Sequence, residues 1–583
     1  MKNLLNIRYL QNKYLSKITL LAFLSLLTSC EQSSLYKQTS PQSSISSSSF
    51  DNGVTSLYHP SPYDEKNSNQ TSTLDNIVDA ISDETYAYID IAMYSFGSTT
   101  DFPSNPIIRA LASDEIQKRI KQKDLQIRMI YGGKAKEIKG DTKKTENGKA
   151  VKYPYDRCML EYLGVDVRYI DGSVQNHNKF GIFLSQDARD SMVISGSANW
   201  SKSSANNYDE NILFTKNEDG LTRMFADEFQ KLWDKAATEF TVASSDCDFA
   251  VSEMTAKAPF DSIKITKTKT VESVEPPYED LSSRSSDDLK AFFNSENYTY
   301  SYDSERKKIK IAVKKADEDG SFTLTRQLVS AIDDAKESLQ IATTRIRSLP
   351  IYKSIIRAAL RGVRVEVVMH MSEYAHPLEA PASEISEREE KPCDMDSDPD
   401  FRESDSDYLK KCSEGVRHAF FLSDAAQRLK LPLTVKIKYF FSNNPSAFVA
   451  KQMHSKYAII DERHIYSGAF NWSFSSDTNF FENYVYIDGS KHRNALKAFL
   501  DNFATISYVE EAKIRDLQQE VQKGRYPLSC SDYGVITAEL SEIDKVYKLD
   551  NKRTLFRDEL CKSSSDKNEN KDEVEAEDPE TVE

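Results

Sequence analysis

The chain of 583 residues lacks an excess of positive charge: 76 Lys and Arg stand against 91 Asp and Glu, a net of −15. That balance argues against a protein that coats nucleic acid. The imbalance is local. Ala375 to Cys412 holds 12 acids and 5 bases, and Lys562 to Glu583 holds 9 acids and 3 bases. Together these stretches carry −13 of the −15, so the remaining body is nearly neutral. The chain also lacks Cys-x-x-Cys pairs and Cys/His clusters at metal-ligand spacing, so no zinc site and no other cofactor is expected. Its N-terminal apolar run, Ile18 to Leu27, is ten residues long, too short for a hydrocarbon layer of about 30 Å. What is present is enough apolar and aromatic material, 39% and 10%, to exclude wholesale disorder. The length suits about two to four domains.

Lys2, Arg8, Lys13 and Lys17 precede the apolar run, as in a signal peptide. The run ends in Leu27-Thr28-Ser29-Cys30, which resembles the bacterial lipobox. The resemblance implies that Cys30 is acylated and begins the mature chain. Glu31 to Asp51, rich in Ser and Gln, then reads as a flexible tether. Glu31 is not the Asp that often retains such proteins at the inner membrane, so an outer-membrane anchor in the cell envelope is expected. Export leaves six cysteines in an oxidising compartment, an even number that permits disulfides. Cys393 and Cys412 bracket the acidic stretch, and Cys530 and Cys561 bracket the final segment; these are the favoured pairs.

Past the tether the chain reads as two copies of one plan. In the first, Tyr86 to Phe96 reads as a buried strand, Pro106 to Ile120 as a helix and Leu125 to Tyr131 as a strand. In the second, a helix over Phe322 to Ala335 precedes a strand, Leu339 to Thr344. A helix over Ile351 to Arg361 follows, Gly362 closes it, and Val363 to Met369 is the next strand. This alternation predicts an α/β protein with two similar lobes, each a mixed, mostly parallel sheet flanked by helices. The expected organisation is a signal peptide (1–30), a tether (31–58), a first domain (59–250), a linker or crossover (251–304) and a second domain (305–510) with an acidic insertion (375–412). A C-terminal segment (511–561) and a disordered acidic tail (562–583) follow.

Late in each copy the repeat becomes specific. His177-Asn178-Lys179 is followed by Gly196-Ser197-Ala198-Asn199-Trp200 and Glu210-Asn211; His454-Ser455-Lys456 is followed by Gly468-Ala469-Phe470-Asn471-Trp472 and Glu482-Asn483. Asn to Glu is 11 residues in both, while His to Asn is 22 in the first and 17 in the second, a difference that a longer hairpin near Ser185 to Asp190 absorbs. On a strand, residues i and i+2 share a face, so each His and Lys point together. Asn199 and Asn471 fit the adjacent turn, and Glu210 and Glu482 fit as acceptors that fix a histidine tautomer. If the halves face each other, two His, two Lys and two Asn converge, a set suited to a phosphodiester. Cations and amides neutralise its oxygens while the imidazoles attack phosphorus and protonate the leaving group. Trp200 and Trp472 read as packing. The Tyr298 to Tyr302 stretch reads as an ordinary strand, and Lys307 to Lys315 as a charged, solvent-facing one.

The run from His454 to Asp461 resembles the HxKxxxxD signature of the phospholipase D superfamily, and the Asn-Trp and Glu-Asn companions in both copies strengthen the likeness. The resemblance implies two such domains around one shared site and a ping-pong reaction through a covalent phosphohistidine. It casts His177 as nucleophile and His454 as general acid/base, although the symmetry of the sequence leaves that order open. Lys179, Lys456, Asn199 and Asn471 would hold phosphate oxygens, and Glu210 and Glu482 would orient the histidines. The first copy departs from the signature: Leu184 stands where the second has Asp461. An offset of seven puts this position on the opposite strand face from the histidine, which makes Asp461 a structural prop.

The expectation is a monomeric, lipid-anchored, metal-independent phosphodiesterase acting on phospholipid. A nuclease of the same superfamily is the alternative, and a catalytically degenerate phosphate- or partner-binding module a second one.

Overall fold

The computed structural model describes residues 54–58, 73–97, 105–132, 137–144, 150–170, 174–239, 274–281, 287–304, 308–315, 322–370, 373, 418–440, 452–509, 511–523 and 535–542. The signal peptide with Cys30, the tether as far as residue 53, the acidic insertion, the acidic tail and Cys393, Cys412, Cys530 and Cys561 lie outside the described residues; the last five residues expected as tether, Val54–Tyr58, are instead a strand that pairs with Asn211–Lys216. Among the described residues no helix is long and apolar enough to cross a membrane.

Two eight-stranded sheets repeat one topology. The first runs Val54–Tyr58, Asn211–Lys216, Ser191–Gly196, Lys179–Leu184, Tyr88–Met93, Gln126–Tyr131, Asp166–Tyr169, Thr238–Glu239. The second runs Leu289–Phe293, Asn483–Asp488, His464–Gly468, Lys456–Ile460, Ser338–Thr343, Arg364–His370, Leu433–Phe440, Val535–Glu539. The α/β class and the two-lobe plan are as expected. The mostly parallel order is not: only Tyr88–Met93, Gln126–Tyr131 and Asp166–Tyr169, and their counterparts in the second sheet, run parallel. Every other neighbour is antiparallel; Lys179–Leu184 with Ser191–Gly196, and Lys456–Ile460 with His464–Gly468, are short hairpins.

Local chemistry sets most element ends. Gly362, at φ +92°, follows the helix Leu349–Leu360 in the left-handed conformation that suits glycine. The single helix expected over Pro106 to Ile120 is two, Pro106–Leu111 and Asp114–Gln122. Ser113 breaks it, accepting the Ile116 N–H while Asp114 and Glu115 fill the first turn. Part of the expected linker is sheet: Leu289–Phe293 is the edge strand of the second sheet, and Tyr298–Asp303 pairs with Lys308–Val313 as a separate ribbon. Upstream, the Tyr278 hydroxyl donates to Asp90, which also takes a bidentate bond from Arg128 at 2.8 and 2.5 Å. This buried cluster fixes the connection on the first lobe.

The core has three parts. One belongs to each lobe, and the third draws Phe180, Ile182 and Leu184 together with Ala342, Val368, Tyr457 and Ile459. Two helices supply much of it: Asp219–Lys235 through Leu221, Phe225, Phe229 and Leu232, and Arg493–Ile506 through Ala495, Phe499, Phe503 and Ile506. The spacing of three and four puts each set on one helix face. Truncating a buried Phe such as Phe229 to Ala would cost about 3–5 kcal/mol. The shared core makes the halves one body, which a site built between them requires. Cys158, on the helix Tyr155–Tyr162, is disulfide-bonded.

Candidate active site

Neither histidine lies on the strand that carries its lysine. His177 and Asn178 separate the two-residue strand Gln175–Asn176 from Lys179–Leu184, and His454 and Ser455 separate Gln452–Met453 from Lys456–Ile460. The short strands pair across the halves. Tyr208–Asp209 runs parallel to Gln452–Met453, and Phe480–Phe481 runs parallel to Gln175–Asn176. The His454 N–H donates to the Asp209 carbonyl at 2.9 Å and the His177 N–H to the Phe481 carbonyl at 3.0 Å.

The next residue after each of these carbonyls is a glutamate, so the dyads cross. His177 Nδ1 lies 2.8 Å from Glu482 Oε2, and His454 Nδ1 lies 2.6 Å from Glu210 Oε1, with all four side chains buried. Each half supplies the histidine of one dyad and the carboxylate of the other. Burial pushes the Glu210 carboxyl up, but His454, Lys456 and the Ser197 hydroxyl outweigh it and hold Glu210 below its ordinary range. Glu210 is therefore ionised and accepts the Nδ1 proton, which leaves His454 Nε2 for chemistry.

The lysines point with the histidines. Lys179 Nζ lies 2.8 Å from His177 Nε2 and 3.1 Å from the His177 carbonyl; Lys456 Nζ lies 2.9 Å from the His454 carbonyl. With Lys179 as donor, His177 Nε2 is the acceptor, and Nδ1 faces Glu482 Oε2. The rings of Tyr94 and Phe480 lie 4.9 and 5.5 Å from that of His177. Asn199 and Asn471 are buried, and the side-chain oxygen of each finds no hydrogen-bond partner among the described residues. A half-turn of the amide exchanges its ends, so each can present its NH2 group there.

Sequence reasoning missed the serines that grip the glutamates. Ser204 Oγ donates to Glu210 Oε1 at 2.5 Å, Ser197 Oγ to Oε2 at 2.6 Å, and Ser476 Oγ to Glu482 Oε1. The run Asn-Trp-Ser-x-Ser-Ser stands in both copies and puts the last Ser six residues before the Glu. Its first Ser caps the helix Lys202–Asn207 or Phe474–Asn479. Asn211, part of the Glu-Asn pair but given no role by the sequence, donates its amide across the halves to Ser467 at 2.6 Å. Trp200 and Trp472 are buried in the cores of the two lobes. The motif glycines are forced: a Cβ on Gly196 or Gly468 would lie 2.2 or 2.3 Å from the carbonyl oxygen of Asn211 or Asn483 on the neighbouring strand.

Asp461 faces away from this chemistry. At φ +53° it accepts the backbone N–H groups of Lys336, Glu337 and Ser338, which hold its carboxyl below the ordinary range against the upward push of burial. Leu184 occupies the matching place in the first sheet, opposite Tyr88 and inside the shared core. Asp209 and Lys438 form a further buried pair across the halves at 2.5 Å. Burial pushes the Asp209 carboxyl up, with Lys438 opposing and Glu210 adding to the rise; burial lowers the Lys438 ammonium, with Asp209 opposing. Among the described residues no three His, Cys, Asp or Glu side chains gather as a metal cage.

Comparison with known proteins matches this repeat. The family described as cardiolipin synthase, PLD-like domain, matches residues 77–233 and 328–506, more than half of the chain. The human mitochondrial cardiolipin hydrolase is 34% identical over 77 residues, which are 13% of this chain and 28% of that protein. Among solved structures, a phosphatidylserine synthase from Haemophilus influenzae aligns with TM-score 0.40 and 11% identity, covering 73% of this chain and 83% of that one. A phospholipase D family member, Nuc, from Salmonella typhimurium aligns with TM-score 0.21 and 16% identity, covering 37% of this chain and 92% of that one. With two matched stretches that each contain one complete His, Lys, Asn and Glu set, the chain belongs to the phospholipase D superfamily and carries its domain twice.

Proposed function

We propose that the protein is a phosphodiesterase that cleaves phospholipid headgroup esters through a covalent phosphohistidine. The observation that carries this reading is the pair of crossed, buried His–Glu dyads, each with a lysine two residues on from the histidine. His177 is cast as the nucleophile, with Lys179 Nζ at its Nε2 and the Glu482 carboxylate at its Nδ1. Nε2 attacks phosphorus, the ester P–O bond breaks, and His454 gives its proton to the departing alkoxide. His454 then takes a proton from water, which attacks phosphorus and breaks the P–N bond. Lys179 passes from the imidazole to a phosphate oxygen, and with Lys456, Asn199 and Asn471 it stabilises the charge gathered on phosphorus.

The name of the human relative, a cardiolipin hydrolase, supports a lipid diester. A lipid anchor at Cys30 would hold the enzyme in the cell envelope beside that substrate, and the Cys158 disulfide fits an oxidising compartment. The test is an assay in EDTA on mixed phospholipid vesicles and, separately, on single- and double-stranded DNA. Release of phosphatidic acid that vanishes in His177→Ala and His454→Ala is the expected result. DNA cleavage without lipid turnover would make the protein a nuclease, and silence on both would leave a phosphate-binding module.

A further inference from the structure

The two dyad glutamates are not held alike. Glu210 takes two serine hydroxyls, Ser204 at Oε1 and Ser197 at Oε2. Glu482 takes the Ser476 hydroxyl at Oε1, but the residue that matches Ser197 in the second copy is Ala469, which has no hydroxyl to give. Glu482 Oε2, the oxygen 2.8 Å from His177 Nδ1, finds no hydrogen-bond partner among the described residues. Its position is set by the backbone that carries it.

Asn294 holds that backbone. It follows the edge strand Leu289–Phe293, in the stretch that reads as linker from sequence, and it is fully buried. Its Oδ1 accepts the Glu482 N–H at 2.8 Å, and its own N–H donates to the Glu482 carbonyl at 3.3 Å, so both sides of Glu482 are fastened. Its Nδ2 donates to the Phe480 carbonyl at 2.7 Å and the Ser476 carbonyl at 3.2 Å. An N–H at one end and carbonyls at the other fix which way the amide points. These contacts fall on residues that set His177: Phe480, whose ring packs 5.5 Å from the imidazole, Ser476, which grips Glu482, and Glu482 itself. The segment is fixed in turn from the other half. Ser295 Oγ donates to Glu228 Oε2 at 2.5 Å and accepts from Lys231 Nζ at 2.9 Å, both on the helix Asp219–Lys235.

We infer that Asn294 is a positioning residue: by holding Glu482 it orients the His177 imidazole for attack on phosphorus. The second copy thus replaces a hydroxyl on the carboxylate with an amide on the main chain. The inference rests on the phosphodiesterase reading and adds to it a group that acts through Glu482 and touches no substrate.

The test compares Asn294→Ala, Glu482→Gln and the double variant with the parent, all as full chains, on bis(p-nitrophenyl) phosphate in EDTA. Asn294→Ala should lower kcat by about 10–100-fold with little change in KM, the loss expected when a reacting group is misplaced by about 1 Å. In the Glu482→Gln background the same substitution should cost less than about threefold, because the group it acts through is already disabled. Asn294→Asp keeps the shape and the acceptor for the Glu482 N–H and should fall between Asn294→Ala and the parent. It replaces Asn294→Ala in the comparison if that variant does not fold. With ring-15N histidine, the His177 signals should move in the Asn294 variant while those of His454 stay as in the parent. Full additivity with Glu482→Gln, a loss of rate that only follows the folded fraction by circular dichroism, or unmoved His177 signals would each overturn the inference. If the parent leaves the diester intact, the phosphodiesterase reading falls, and the ring signals, which need no turnover, still decide the role of Asn294.

Discussion

The crossing of the dyads can be tested without measuring catalysis. Glu210 and His454 are 2.6 Å apart, both fully buried, and Glu210 is ionised at neutral pH. A buried hydrogen bond to a charged group contributes about 1.5–3 kcal/mol. Glu210→Gln and His454→Ala, made singly and together, should therefore show a coupling energy of that size in urea denaturation. Glu482 and His177, 2.8 Å apart but without hydrogen-bond geometry between Nδ1 and Oε2, should couple in the same sense and less strongly. The pairs within one half, Glu210 with His177 and Glu482 with His454, should couple more weakly than the crossed pairs. Catalysis offers a second reading of the same cycle. Glu210→Gln should slow cleavage of alkyl esters far more than p-nitrophenyl esters, as should His454→Ala, because only the poor leaving group needs the proton that His454 carries. Strong coupling within a half, with none across, would refute the crossed arrangement and the mechanism built on it.

Other consequences follow from the buried charges. Lys438→Met would leave Asp209 unpaired in the interior and should cost about 3–5 kcal/mol in urea, whereas Asp209→Phe with Lys438→Ile, which puts Phe there as Phe481 stands at the matching place in the other half, should be neutral or stabilising. Leu184→Asp completes the signature on paper, but its carboxylate would enter the apolar core that Leu184 now fills. Its thermal midpoint should therefore drop sharply with no gain in rate, while Asp461→Ala, which loses three backbone partners, should cost about 1–2 kcal/mol. Burial raises the Asp477 carboxyl to about 6, with Glu482 adding to the rise and the Thr325 and Leu324 N–H groups opposing it. The folded state thus holds this proton more tightly than the unfolded chain. Its contribution is fully present below about pH 4 and is lost as pH rises through about 6, so Asp477→Asn should gain about 3 kcal/mol on the parent across that window.

Much of the site was legible because chemistry repeats. The His-x-Lys pairs, Asn199 and Asn471, and Glu210 and Glu482 stand out at matching spacings, and the hairpin expected near Ser185 to Asp190 is the turn between Lys179–Leu184 and Ser191–Gly196. The break at Ser113 is also legible, as a cap residue followed by two acids, although apolar residues recur on both sides of it. The crossing was not. Each glutamate lies closer in sequence to the histidine of its own half, and only the pairing of Phe480–Phe481 with Gln175–Asn176, and of Tyr208–Asp209 with Gln452–Met453, reverses the partnership. The mostly parallel sheet failed for a related reason: strand–helix–strand units are conspicuous in a sequence, and they supply only three of the eight strands in each sheet.

The two halves separate what the repeat fixes from what it leaves free. Asp209 and Phe481 occupy one position, immediately before the glutamate, and both use the backbone carbonyl to hold the histidine of the other half. Their side chains have diverged completely. Phe481 packs under Tyr298 and Tyr300, while Asp209 meets Lys438, a partner 229 residues away that no local pattern connects to it. At such a position, then, likeness between the copies carries over the backbone role and not the side-chain role. The reverse holds at His177 and His454, or at Asn199 and Asn471, where the copies agree on the side chain itself although loops of different length lie between them. Agreement of that kind, maintained against a changed scaffold, is what chemistry on a shared phosphate demands and what packing alone does not.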